Sequence, residues 1–139
     1  MIKVSRRQAR DFALQVLFQV DLTAQTLDQA FQGTAEFHSL DPAHYQFGLE
    51  LAQGVLEHLR ELDEAAANLS KDWSVSRMPV IDRNLIRMGL YEIKYCPDIP
   101  HNVSINEVVE LGKIYGTDNT PRFINGILGN YVKDKDGTV

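Results

Sequence analysis

The stretch PVIDRNLIRMGLYEIKY, residues 79–95, decides the fold. Ile81, Leu85, Met88 and Gly89 make one apolar row at helical spacing, and Ile86, Leu90 and Ile93 make a second row beside it. Two adjacent rows give a wide apolar stripe, so this segment reads as a central helix of an all-helical core. Gly89 carries no side chain and lets a neighbouring helix approach closely. Pro97 and Pro100 stop the helix.

The same periodicity continues on both sides, and no segment shows sustained alternation with turn dipeptides, so strands are not expected. Downstream, Ser104 and Glu107 have the spacing of a capping box, with Val103 and Val108 placed as a hydrophobic staple. A helix is expected from there to Tyr115, closed by Gly116. Thr120 is expected to cap the last helix, with Pro121 as its first residue and Ile124, Ile127, Leu128 and Tyr131 facing inward. The tail from Lys133 to Val139 is expected to fray.

Upstream, Ser5 and Gln8 form a capping box ahead of the stripe Ala9, Phe12, Ala13, Val16, Leu17 and Val20, widened by Leu14 and Phe18. A short helix over Leu27 to Phe31 is expected to end at Gly33. Asp41, with Pro42 behind it, is expected to cap a third helix that buries Tyr45, Leu49, Ala52, Val55, Leu56 and Leu59. Leu59, Leu62, Ala66 and Leu69 keep the helical rhythm, either as a kinked continuation or as a new helix. Residues 70–78, containing Trp73, read as a connection between two halves, about 5–70 and 79–132.

The 139 residues fit one domain, large enough to bury roughly two thirds of its unfolded surface without a disulfide or metal. The lone Cys96 cannot form an internal bridge and fits a reducing cytosol. Met1 to Arg10 has no apolar signal core, and no apolar run approaches a membrane span, so a cytoplasmic protein is expected. The net charge of −5 is unevenly placed. Lys3, Arg6, Arg7 and Arg10 precede the first acid, Asp11, whereas residues 28–64 hold eight acids and one base, Arg60. A basic patch can attract phosphate on an acidic protein, because salt screens distant charges within about 8–10 Å.

Arg6, Arg7 and Arg10 share one side of the first helical turns. Cations at a helix N-terminus oppose its dipole, so a sequence chosen for stability alone would put acids there. Two readings stand: a solvated helix start, or a grip on a phosphate backbone. Arg83 and Arg87 also share a face on the central helix, near Lys94, and salt bridging to nearby carboxylates is the plainer reading for each. Around Asp118, Asn119 and Thr120 a polar turn leads to Arg122 and Phe123. Free N–H groups there suit anions, and an exposed aromatic can stack on an unpaired base, although Phe123 also fits a core position. Residues 108–128 imitate a helix-turn-helix, but the connection from Gly116 to Thr120 is too long for its tight turn. The four histidines lack metal-ligand spacing, and no glycine-rich phosphate loop is present, so neither a metal, a cofactor nor an enzymatic activity is expected.

The runs DRNLIRMGLYE (82–92), PHNVSINEVVELGK (100–113) and RFINGIL (122–128), with RRQAR at 6–10, resemble the transcription antitermination factor NusB family. The likeness spans about Ser5 to Tyr131 and is weakest over 24–45 and 70–79. It implies two small helical bundles of about six to seven helices, with the N-terminal helix between or across them. It also implies a partner, the small-subunit ribosomal protein NusE. The pair would bind boxA RNA within the RNA polymerase antitermination complex and promote read-through, notably in ribosomal RNA operons. By position the likeness implies RNA contacts at Arg6, Arg7, Arg10, Arg87, Asn119 and Phe123, and a NusE-facing side near Phe18 and Asp82; Arg122, beside the polar turn, joins the expected RNA contacts. Gln8 stands where the family can carry a further arginine, and Asn119 where it can carry an acid. The rival reading is a helical protein–protein module without RNA binding. Whether the free protein is a monomer or a homodimer stays open.

Overall fold

The structure, a computed structural model, describes residues 5–38, 45–70 and 74–135. Among the described residues seven α-helices follow in order: α1 (Arg6–Leu22), α2 (Leu27–Phe37), α3 (Gln46–Glu57), α4 (Leu59–Leu69), α5 (Val80–Tyr95), α6 (His101–Tyr115) and α7 (Thr120–Lys135). A 3-10 turn, Val75–Arg77, precedes α5. There is no strand among the described residues. The fold is all-α, as the periodicity predicts. Asp41, Pro42 and Trp73 lie outside the described residues.

α5 is the central helix. It packs against α1, α3, α4, α6 and α7, and both of its apolar rows are buried apart from half-buried Ile81. A Cβ on Gly89 would sit 2.5 Å from Leu128 Cδ1, so the glycine sets how closely α7 can approach. α1 packs on α2, α3, α5 and α6. It starts as predicted: Ser5 Oγ accepts from the Gln8 N–H at 3.1 Å, and Gln8 Oε1 accepts from the Ser5 N–H at 3.0 Å. A Cβ on Gly48 would lie 2.6 Å from the Ala9 carbonyl oxygen. The backbones of α3 and α1 therefore touch, which brings Phe47 beside the first turns of α1.

Three boundaries differ from the sequence reading, and a fourth, between α3 and α4, was left open there. α2 has its own capping box at Thr26 and Gln29, and it runs through Gly33 to Phe37. Thr34 and Ala35 are buried, and the Thr34 hydroxyl donates to Ala30 O and accepts from Gln19 Nε2, so tertiary contacts outweigh the roughly 1 kcal/mol cost of a helical glycine. α3 and α4 are separate helices that break at His58. α6 starts at His101, three residues before the expected cap; Ser104 is buried inside the helix and Val103 is exposed. α7 begins at Thr120 itself, and the Thr120 hydroxyl accepts from the Thr117 N–H and donates to Asp82 Oδ1.

Candidate nucleic-acid interface

The capping box fixes where α1 begins and therefore where its arginines point. Arg10 occupies the same helical row as Ala13, Leu14 and Leu17, so it faces inward. Its Nε and Nη2 donate to the two carboxylate oxygens of Glu92 at 2.8 and 2.7 Å, with only 3% of the Arg10 side chain exposed. Glu92 has no exposed side-chain surface and also accepts from Ser104 Oγ at 2.8 Å. A buried charge persists only when it is paired and hydrogen-bonded, and this pair is both. The expectation of three open guanidiniums is thus corrected at Arg10: it is an internal tie between α1 and α5.

Arg6 and Arg7 are exposed. The Arg6 guanidinium lies 4.9 Å from the Phe47 ring centroid, and that of Arg10 lies 5.4 Å from it. Phe47 therefore holds two cations by their attraction to its π face. Arg7 Nε donates to both oxygens of Glu107, at 3.0 and 3.3 Å, while 69% of the Arg7 side chain stays in solvent. Glu92 and Glu107 pair with Arg10 and Arg7, whereas Arg6 has no ion pair among the described residues.

The second arginine group is closed. Arg83 forms a bidentate pair with Asp21, at 2.7 and 2.6 Å. Arg87 donates to both oxygens of Asp63, at 2.7 and 2.9 Å, and to Asp21 and Asn84, with 10% of its side chain exposed. Burial pushes the Asp21 carboxyl up, but hydrogen bonds from Arg83 and Asn84 and the field of both guanidiniums hold it below the usual range. Arg87 therefore has no free fork for a phosphate, and the expectation of an RNA contact there is corrected to the plainer salt-bridge reading. Lys94, on the same helix, pairs with Glu61.

Two clefts flank the start of α5. One, about 370 Å³, is lined by Leu14, Gln15, Phe18, Gln19, Ile81 and Tyr115 and is mostly apolar. The Tyr115 hydroxyl donates to Asp11 Oδ1 at 2.6 Å; burial and that bond push its pKa up to about 12. The other, about 360 Å³, lies between the turn before α5 and the α6–α7 connection, with Arg77, Asp82, Thr117, Asn119 and Phe123 among its walls. Asn119 and Arg122 are exposed and Phe123 is half-buried against the core. Asp82 is only 6% exposed, and burial raises its carboxyl above the ordinary range against the Thr120 hydrogen bond. The expected partner residues thus separate: Phe18 lines the first cleft, and Asp82 lies in the second.

Glu92, Phe47, Asp21 and Asp63 were not picked out from the sequence, and Ser104 and Glu107 were read there only as a capping box. Glu92 carried a signal: it continues the apolar row Leu85, Met88 and Gly89, where a charge demands a buried partner. The half-buried Cys96 has its thiol pushed up by burial, as for an inert small side chain. No group of three or more acidic, histidine or cysteine side chains that could hold a metal occurs among the described residues. No described helix is long and apolar enough to cross a membrane.

The sequence model of the NusB family matches residues 7–133. The transcription antitermination protein NusB of Desulforamulus reducens is 47% identical over 133 residues, covering 96% of this chain and 93% of that protein. The solved structure of T. maritima NusB superposes with a TM-score of 0.87 at 31% identity, over 96% of this chain and 94% of that one. A chain in the crystal structure of antitermination factors NusB and NusE with double-stranded RNA superposes with a TM-score of 0.84 at 25% identity, over 93% and 96% of the two chains. A family match across nearly the whole length, on the same helical scaffold, gives one conclusion: this chain belongs to the NusB family.

Proposed function

We propose that this chain acts with the ribosomal protein NusE in the cytoplasm, binding boxA RNA and promoting read-through by RNA polymerase, notably in ribosomal RNA operons. The observation that carries the reading is the pair of solvent-facing guanidiniums, Arg6 and Arg7, held at the start of α1 by the buried Arg10–Glu92 tie. Positions of this kind fix a phosphate backbone in place and carry no base information. Arg10 serves as a positioning residue, and Asn119, Arg122 and Phe123 supply edge and stacking contacts. The apolar Phe18 cleft suits a protein partner. The solved assembly of NusB, NusE and RNA supports both partners on this scaffold.

The test is a titration of boxA RNA against wild type and the double variant Arg6→Ala, Arg7→Ala, with and without NusE. A loss of affinity of about tenfold or more in the variant, with NusE affinity retained, is expected. Unchanged affinity overturns the reading. A purely protein-docking module is favoured by the Phe18 cleft and by the exposure of Phe37 and Ile114; it predicts no RNA retention in any of these mixtures.

A further inference from the structure

We infer that Phe47, on α3, is a positioning residue for RNA: its ring holds the Arg6 guanidinium in place and leaves the N–H donors of Arg6 free for a backbone phosphate. This rests on the RNA reading above and names a residue outside α1 on which that grip depends.

The arginines differ in what partners them. Arg7, Arg10, Arg83 and Arg87 each donate to a carboxylate. Arg6 is exposed and has no hydrogen bond or ion pair among the described residues; its guanidinium lies over the Phe47 ring, 4.9 Å from the centroid. A carboxylate takes up the N–H donors that a phosphate needs and cancels the charge that attracts it. An aromatic ring does neither. It attracts the cation through its π face, while the five N–H groups lie in the plane of the guanidinium. Ring and phosphate can therefore hold one guanidinium at the same time.

The ring is set by its surroundings. Phe47 is half-buried and packs against the core. Its neighbour Gly48 lies against the Ala9 carbonyl oxygen, so no side chain separates α3 from α1 there. Arg10 borders the same ring at 5.4 Å and is itself fixed by Glu92. A long exposed side chain loses rotamer freedom when it grips a ligand. For Arg6 part of that freedom is removed before RNA arrives. Local stability does not account for the contact: a cation in the first turn opposes the helix dipole by about as much as an exposed cation–π contact returns.

The experiment replaces Phe47 in the full chain with mono-, di- and trifluorophenylalanine and titrates boxA RNA in the presence of NusE. Fluorine draws electrons from the π face with little change in size, so packing is kept. Affinity is expected to fall stepwise with each fluorine, by about two- to fivefold across the series. In an Arg6→Ala background, which binds more weakly from the outset, the same series is expected to be flat. A fall of equal size in that background assigns the effect to the fold or to Arg10 and overturns the inference. A flat series with Arg6 present, or one in which binding tightens, also overturns it. In these cases the RNA reading stands, because Arg6→Ala still weakens binding. Unchanged affinity on Arg6→Ala alone overturns the inference and the phosphate role of Arg6 together.

Discussion

Two arginine groups in this chain look alike as sequence and differ as chemistry. Arg6, Arg7 and Arg10 share one side of α1; Arg83 and Arg87 share one side of α5. Asp21 and Asp63 consume the second group, whereas the first keeps Arg6 and most of Arg7 in solvent. The counter-ions that make the difference come from other helices: Asp21 from α1, Asp63 from α4, Glu92 from α5 and Glu107 from α6. Helical spacing says which cations are neighbours. It does not say which are neutralised across an interface.

The contrast can be broken at its strongest point first. Glu92→Gln leaves Arg10 buried without its countercharge and should cost about 3–5 kcal/mol of stability, read from the denaturant midpoint. A change below about 1 kcal/mol would mean that Arg10 escapes to solvent and belongs with the open pair after all. Arg87→Ala should cost less, about 2 kcal/mol, because Asp63 remains partly hydrated. RNA affinity and its salt dependence should not move in that variant; a fall in either would return Arg87 to the interface. The smallest effect sharpens the open group. Glu107 shares Arg7 with any incoming phosphate and repels it. Glu107→Gln should tighten RNA binding by about two- to threefold, the Coulomb energy of two charges about 7 Å apart in water. Weaker binding would show instead that Glu107 presents Arg7 to the strand.

Local signals were legible wherever the energy that decides them is local. The Ser5 capping box and the central role of α5 follow from residues within one helix, and the structure has both. Ser104 and Glu107 carry the same capping pattern, yet Ser104 is spent on the buried Glu92 and Glu107 on Arg7, so α6 starts at His101. Gly33 reads as a stop, but the buried Thr34 and Ala35 hold α2 together beyond it. At the candidate site, the basic start of α1 was legible as charge, and the inward turn of Arg10 was written in its apolar row with Ala13, Leu14 and Leu17. Its partner was not legible, because Glu92 is 82 residues away in sequence.

The most direct test is the slope of log binding constant against log salt for one single-stranded boxA RNA. Each phosphate contact on a single strand contributes about 0.7 to that slope. Removing Arg6 and Arg7 together should flatten it by about 1.4, while removing Arg87 should leave it unchanged. Equal slopes for wild type and the Arg6, Arg7 variant would contradict the account.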